Sequence, residues 1–367
     1  FTFSVIALLT TIGYANEADS VFYETDEIEV TASRIRTPLP KASRIIGIMT
    51  QEQINSYAVQ SVNDILKYAV GVDVRQRGPI GAQTDVGVRG GNFEQVAILL
   101  DGINICDPQT GHNSFDFPVD MSDIDHIEVL EGPAGRAYGS SSLMGAINIV
   151  TKTAARTQAQ AHMEAGSWGY AAAGARADAV KNGWNNMLSV NYGRSDGYSR
   201  SKAGRLNADM EYKKAFYKGG YMDDNIKVNW HAGASIKDWG SNTFYSAKSD
   251  DQFEHTVKTY TALQAENRIG RVHIHPSAWW NHNEDRFELI RGSEDAVKFN
   301  YHRSDVAGVG FNSWFDWTLG RTAIGAELKN ENLVSGNLGE PLTEHKHIKG
   351  TERNYTLGLN RTNISFI

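Results

Sequence analysis

The sequence has very few of the residues that would stabilise a small secreted scaffold or bind a polyanion. It contains one cysteine, Cys106, so no disulfide can form within the chain. Lys and Arg number 36 against 43 Asp and Glu, and this net charge of −7 without a basic stripe gives no reason to expect nucleic acid as a partner. Hydrophobic residues make up 41% of the 367 residues, which excludes a disordered chain and suffices for two domains.

Long apolar runs are also missing. Beyond residue 15 no run of about 18 apolar residues occurs, which excludes transmembrane helices. The first twelve residues are apolar and are followed by the small-residue segment Gly13-Tyr14-Ala15. We therefore interpret residues 1–15 as a signal peptide that lacks its basic start, with a mature protein beginning near Asn16. The alternative is a short buried core helix, because this stretch is too short to span a bilayer as a helix.

The next two regions differ in pattern. Residues 16–40 are polar and contain Pro38 and Pro40, which predicts an extended leader. Residues 41–152 mix helix and strand signals: Thr50 with Gln53, and Ser61 with Asp64, have the spacing of capping boxes at the starts of two short helices, and short apolar runs alternate with turn residues. We expect one compact α+β domain over 41–152.

From about Ala155 onward the apolar residues recur with a period of two. In one segment the expected outward side chains alternate with polar ones expected to face inward; the first set is Val228, Trp230, Ala232 and Ile236, and the second is Asn229, His231 and Ser235. Short turns alternate with long polar loops, the arrangement of an outer-membrane barrel. The predicted long loops cover about residues 194–207, 237–254, 283–300 and 331–351. Residues 153–367 are therefore predicted to form about ten antiparallel transmembrane β-strands. We expect this barrel to be incomplete, because unpaired strand edges are costly in lipid.

Several motifs in the first 152 residues resemble those of TonB-dependent outer-membrane receptors. Residues 88–90 (Val-Arg-Gly), 99–102 (Leu-Leu-Asp-Gly), 127–133 and 145–151 follow the order and spacing of the plug domain that fills the barrel in that family. Glu131 and Ala146 depart from the usual pattern in detail. The leader carries a stretch similar to the TonB box, the segment that adds as a strand to the energy-transducing protein TonB. Its residues are Asp26, Glu27, Ile28, Glu29, Val30, Thr31 and Ala32.

This resemblance implies a receptor in the outer membrane of a Gram-negative bacterium that imports a large scarce nutrient. Its expected partners are TonB, outer-membrane lipid and a small-molecule nutrient. As a whole the plug most resembles that of cobalamin receptors, with ferric-siderophore or haem receptors as the alternative. A further alternative, from a functional class other than transporters, is a receptor that signals or binds without transport. No catalytic motif is present, so an enzyme is not expected.

The resemblance also suggests two residues that bind plug to barrel. Arg89 and Glu128 are placed on neighbouring strand ends, and in the family such charges form buried ion pairs. An ordinary salt bridge within the plug is an equally good interpretation.

Metal binding has weaker support. His273 and His275 share one strand face, but a polar lumen face explains them more simply than a metal site. Aspartates in the predicted long loops could bind calcium, as in cobalamin receptors, or could be solvated loop charges; they are Asp196, Asp238, Asp250 and Asp251. We expect no resident metal or cofactor apart from this possible calcium.

Overall fold

The computed structural model describes most of the chain. The described residues are 11–13, 29–30, 37–38, 46–76, 78, 82–109, 115–132, 142–198, 207–244, 246–267, 270–293, 299–318, 320–349 and 351–366. Three short strands precede the first domain: β1 (Thr11–Gly13), β2 (Glu29–Val30) and β3 (Thr37–Pro38). Strand β1 pairs with the first strand of the large sheet. It lies within residues 1–15, and the assignment of these residues as a signal peptide stays a prediction.

The first domain is a mixed α/β unit, as the sequence predicts. Its strands are β4 (Ile46–Met49), β5 (Val72–Gln76), β6 (Thr84–Val88), β7 (Val96–Leu100), β8 (Ile103–Asn104), β9 (Ile124–Glu131) and β10 (Gly145–Thr151). Its helices are α1 (Gln51–Ser56) and α2 (Val62–Ile65), with 3-10 turns at Leu66–Tyr68, Phe93–Gln95 and Met121–Asp123. A five-stranded sheet has the order β4-β9-β10-β7-β8, while β5 and β6 pair separately. Only β10 and β7 are parallel neighbours in these two sheets.

Both predicted helix starts are confirmed. The side chain of Thr50 accepts the backbone N–H of Gln53, and the Gln53 side chain accepts the N–H of Thr50, which completes the capping box. Ser61 likewise accepts the N–H of Asp64 at the start of α2. These caps satisfy backbone donors that a helix leaves unpaired at its first turn. The apolar faces of both helices then pack on the sheet through Ile54 and Ile65, which are buried.

The second region is a large antiparallel sheet. Its strands are β11 (Gln158–Ala165), β12 (Ala171–Lys181), β13 (Trp184–Ser195), β14 (Met210–Met222), β15 (Ile226–Asn242), β16 (Gln252–Asn267), β17 (Val272–Glu288), β18 (Phe299–Trp317), β19 (Gly320–Ser335), β20 (Glu340–His347) and β21 (Asn354–Phe366). Strands β11 to β19 pair in sequence order, followed by β21 and then β20. Within the described residues the sheet stays open. Among these residues no helix has the length and apolar content needed to cross a bilayer.

The predicted two-face pattern is confirmed. On β13 the side chains of Leu188 and Val190 are 51% and 49% exposed, while Ser189 between them is 1% exposed. On β15 Ile236 is exposed, whereas His231 and Ser235 are buried against the first domain. The apolar outward face suits lipid, and the inward face encloses the first domain.

Several strands extend further than the sequence predicts. Strand β15 continues to Asn242 and β17 to Glu288, although we expected loops from Lys237 and Asn283 onward. A further strand, β20, lies inside the predicted loop of residues 331–351. Main-chain pairing holds these extensions, and it continues after the apolar alternation has ended.

Candidate functional site

The first domain contacts the inward face of the barrel sheet through buried aspartates. One of them, Asp101, occupies the tight turn between β7 and β8 with a φ of 48°. Its carboxylate accepts the backbone N–H of Thr151 at 2.9 Å and the Thr151 hydroxyl at 2.6 Å. Two barrel side chains approach the same carboxylate: Lys218 Nζ lies at 3.4 Å and His231 Nε2 at 3.5 Å. The turn is thus joined to β14 and β15.

Charge compensation at Asp101 has a visible electrostatic effect. Burial alone would raise the pKa of this carboxyl, but Lys218, His231 and the hydrogen bonds from Thr151 outweigh burial and hold the pKa below its usual value. Lys218 also donates to the carbonyl and hydroxyl oxygens of Thr151, each at 2.8 Å. Asp101 is therefore ionised, and both Thr151 and Lys218 bind its carboxylate at the domain boundary.

Asp116 makes a second contact of the same kind, nearer the long loops. Lys237 Nζ lies 3.1 Å from its carboxylate, and the hydroxyls of Thr256 and Ser235 donate to it at 2.8 and 3.2 Å. Burial would raise the pKa of Asp116, but Lys237 and then Lys258 outweigh burial and lower the pKa. Two adjacent strands, β15 and β16, therefore contact one plug carboxylate through lumen-facing side chains.

Other aspartates meet neutral partners from the barrel. Ser189 donates to Asp123 at 2.7 Å, and Ser304 donates to Asp107 at 2.9 Å. Burial raises the pKa of both carboxyls, and the hydrogen bonds only partly offset it. Apolar packing adds to these polar contacts, since Phe216 and Trp279 of the barrel belong to the same buried cluster as the core of the first domain.

A glycine on β15 permits one close approach. A Cβ placed on Gly233 would lie 2.8 Å from the ring of Pro118, nearer than side-chain atoms normally come. Glycine at this lumen-facing position lets the plug segment around Pro118 pack directly on the barrel backbone.

A cavity of about 660 Å³ separates the two domains at the short-turn end of the barrel. The first domain lines it with Asp101 to Asn104 and with Thr151, and the barrel lines it with mainly polar residues. The latter include Asn185, Lys218, Asn229, His231, Gln264, His275 and Asn312. This polar lining and the ion pairs above define the candidate site as the interface between the two domains.

The two residues that we expected at this interface have partners within the first domain. Arg89, half-exposed rather than buried, pairs with Glu131 at 2.6 Å. Glu128 is fully buried, accepts from Asn148 at 2.9 Å and lies 3.3 Å from His126. These contacts agree with the alternative of salt bridges inside the plug. A contact of Arg89 and Glu128 with the barrel stays a prediction.

The sequence did carry a signal for the residues that form the interface. Lys218, Lys237 and Lys258 fall at lumen-facing positions of strands whose other face is apolar, where a charge needs a partner. For Asp101 the sequence Asp101-Gly102 predicts only a tight turn, because Asp-Gly is a turn signal whatever the aspartate contacts. Which carboxylate meets which lysine depends on how the two domains dock, and strand periodicity does not contain that information.

The remaining predicted site residues lie elsewhere. In the TonB box Glu29 and Val30 form β2 and pair with β3, while residues 26–28, 31 and 32 lie outside the described residues.

His275 lines the cavity, and His273 stacks on Trp314. Asp238 belongs to β15 rather than to a loop, and His255 Nδ1 lies 2.8 Å from its carboxylate. No group of three or more His, Cys, Asp or Glu in the described part of the chain could hold a metal ion, and loop-bound calcium stays a prediction.

Comparisons with known proteins agree with this architecture. Residues 39–146 match the family described as "TonB-dependent Receptor Plug Domain". The Vitamin B12 transporter BtuB of Vibrio vulnificus (strain CMCP6) is 32% identical over 148 residues, which are 40% of this chain and 24% of that protein. The chain thus matches about a quarter of this relative's length.

Solved structures show the same fold. The ferric enterobactin receptor PfeA of Pseudomonas aeruginosa superposes with a TM-score of 0.64 at 17% identity, over 90% of this chain and 55% of that one. The FrpB iron transporter of Neisseria meningitidis gives 0.66 at 14% identity, over 84% and 50%. The chain therefore spans about half the length of these structures. Residues 39–146 thus match the plug domain of TonB-dependent receptors, and this domain packs on the inward face of the antiparallel β-sheet that follows it in the chain.

Proposed function

We propose that this chain is the plug and the first barrel strands of a TonB-dependent transporter for a large, scarce nutrient, with cobalamin as the substrate. The observation that carries this proposal is that buried ion pairs bind the plug to the lumen face of the barrel. A barrel wide enough for a bulky solute would leak if it were unfilled. A plug fixed by ion pairs that can be broken closes the lumen and still allows a path to open. No chemical transformation of the nutrient is involved.

The leader supplies the link to an energy source in this proposal. Among the described residues, strand β2 holds two residues of the TonB box, Glu29 and Val30, and pairs with β3 in a sheet separate from those of the plug and the barrel. This pairing lies within the leader, so exchanging β3 for the sheet of TonB would leave the plug sheet intact. Force applied there would reach the plug through the chain that leads into β4.

Opening a path then requires the plug contacts near the cavity to break. The Asp101 contacts border the cavity at the short-turn end, where the nutrient would leave the barrel. Moving this turn away from Lys218 and His231 would join the cavity to the space above it. The polar cavity lining would replace part of the water around a hydrophilic solute during passage.

The similarity to a vitamin B12 transporter supports cobalamin as the substrate. Ferric siderophores and haem are the other substrates that the plug motifs suggest. The test is uptake by cells that express the full-length receptor, with radiolabelled cobalamin, ferric siderophore and haem measured separately, with and without TonB. TonB-dependent uptake of cobalamin alone is the expected result.

Two other outcomes are informative. Surface binding of cobalamin without uptake, in cells that contain TonB, would favour a receptor that signals or binds without transport. Uptake of a siderophore or haem in place of cobalamin would leave the transport mechanism standing and replace the substrate.

A further inference from the structure

The outward surface of β18 changes character along its length. Towards the short-turn end its outward side chains are apolar and exposed, with Val309 and Phe311 at 53% and 44%. Nearer the long loops the same face carries Arg303, whose side chain is 48% exposed, and Asp305. An apolar band that gives way to charge on a lipid-facing strand marks the level where acyl chains end and headgroups begin. Arg303 therefore lies at headgroup level on the long-loop side.

Strand β20 adds more positive charge at this level. The buried side chains of Val334, Ile348 and Tyr355 form an apolar cluster with Tyr301 and Leu342. Since Val334 faces Arg303 across the β18–β19 pair, the cluster ties the β20–β21 hairpin to this part of the barrel surface. Two basic residues at the end of β20, Lys346 and His347, are thereby placed beside Arg303.

These residues surround a pocket of about 130 Å³. Its lining comes from four strands and consists of Arg303, Asp305, Asn332, Val334, Lys346, His347 and Tyr355. Asp305 is its sole carboxylate, and it is already bound by His282 Nδ1 at 2.8 Å, while Arg303 Nε stands 3.6 Å away. Within the described residues the side chains of Lys346 and His347 make no hydrogen bond or ion pair, while their backbones pair with β21. The pocket thus contains more positive charge than its one carboxylate balances.

We propose that this pocket binds a phosphate group of a phosphorylated glycolipid in the outer leaflet of the membrane. Arg303 offers a planar set of donors and Lys346 a mobile point charge, and both kinds of side chain bind phosphate in proteins. The pocket opens at the level of the headgroups, so the acyl chains of the same lipid would lie on Val309 and Phe311. The assignment rests on the outer-membrane location of the receptor and is independent of the nutrient that it imports.

The test uses the full-length receptor purified in detergent and titrated with bis-phosphorylated lipid A, followed by native mass spectrometry. We expect the triple variant Arg303→Gln, Lys346→Gln, His347→Gln to bind this lipid about tenfold more weakly or less. The matched control is Lys213→Gln: Lys213 is also basic, exposed and outward-facing at the long-loop end, but it is paired with Glu211 at 2.8 Å. This control should bind lipid as the unmodified receptor does.

Further arms identify the source of the phosphate and exclude misfolding. Dephosphorylated lipid A should bind to the unmodified receptor as weakly as the phosphorylated lipid binds to the triple variant. The variant Arg303→Lys with Lys346→Arg keeps the charge and should restore binding. Equal lipid binding by the triple variant and the control would overturn the proposal. Binding of inorganic phosphate as tight as that of phosphorylated lipid A would overturn the assignment to a lipid.

Discussion

Asp101 lies in a turn of the plug, and its contacts with side chains of the barrel connect the two domains. Its carboxylate is 8% exposed and faces Lys218, which is 7% exposed. Replacing it by Ala would leave the Lys218 ammonium buried with only the oxygens of Thr151 as partners. Removing one partner of a buried pair typically costs about 3–5 kcal/mol. We therefore expect Asp101→Ala to lower the free energy of plug unfolding by about 3 kcal/mol, measured by urea titration of a plug-labelled full-length receptor.

A double-mutant cycle separates the ion pair from simple loss of packing. In the double variant Asp101→Ala, Lys218→Met the buried charge is gone, and part of the lost stability should return. The exposed pair of Lys213 and Glu211 serves as the control cycle, with a coupling of at most about 1 kcal/mol. Equal coupling energies in the two cycles would mean that Asp101 and Lys218 do not hold the plug.

His126 provides a second residue-scale prediction, on pH. Burial lowers its pKa, but Asp125 at 2.7 Å and Glu128 at 3.3 Å outweigh burial and raise the pKa from 6.5 to about 9. A raised pKa adds stability that is complete below pH 6.5 and disappears as the pH rises through 9. Over that window the plug should lose up to about 3 kcal/mol.

The measurement is the urea midpoint of plug unfolding in the full-length receptor at several pH values between 6 and 10. In His126→Gln this pH dependence should flatten. His255 is paired with one carboxylate at the barrel surface and does not contact the plug pair, so the variant His255→Gln should keep the pH dependence of the unmodified receptor. An unchanged slope in His126→Gln would show that another group causes the pH dependence.

At the scale of elements, the alternation along β15 makes a direct prediction about lipid exposure. Single cysteines at Trp230 and Ile236 should react with a lipid-phase reagent, because their neighbours on the same face are apolar. Cysteines at His231 and Ser235 should not, since both positions are buried against the plug. The background is a Cys106→Ser receptor. Labelling of His231 and Ser235 in place of the outward pair would mean that the two faces are inverted.

The sequence predicted most of the strands and little of their extensions. A period of two identifies a strand when one face is apolar, as on β13 and β15. At the ends of β15 and β17, and along β20, most positions on both faces are polar or charged. Trp239, Phe287 and Leu342 are isolated apolar residues there, so no apolar alternation marks these segments. Only pairing with a neighbouring strand specifies these segments. For this reason the basic pocket at the end of β20 could not be predicted from the sequence.

The same limit applies to the candidate site. Buried lysines on the lumen face indicate that anionic partners exist, but the identity of those partners depends on docking. Arg89 was linked to the barrel by family resemblance, and the structure gives it Glu131, which lies in the same domain. Local signals such as caps and turns predicted local contacts, and contacts between distant segments required the fold.

For the whole molecule, the proposed mechanism needs a plug that stays in place at rest and yields to a pull on its leader. Part of the buried core of the plug is shared with the barrel through residues such as Phe216 and Tyr260. The plug therefore has no hydrophobic core that is separate from the barrel. In the described part of the leader, by contrast, β2 pairs with β3, which also belongs to the leader, and this sheet is separate from the plug sheet. A force on the leader should therefore unpair β2 before it disturbs the plug.

The variant Val30→Pro in the full-length receptor tests this coupling. Proline removes the backbone donor of Val30 and cannot take part in an internal strand pairing, so strand addition to TonB should fail. The plug contacts lie far along the chain and should persist. We expect normal surface binding of labelled cobalamin with uptake reduced to the level of cells without TonB. The matched control, Val30→Thr, keeps both the backbone donor and the β-branched shape and should import normally. Normal uptake by Val30→Pro would rule out residues 26–32 as the TonB box, and loss of surface binding would show that the leader supports the fold of the receptor.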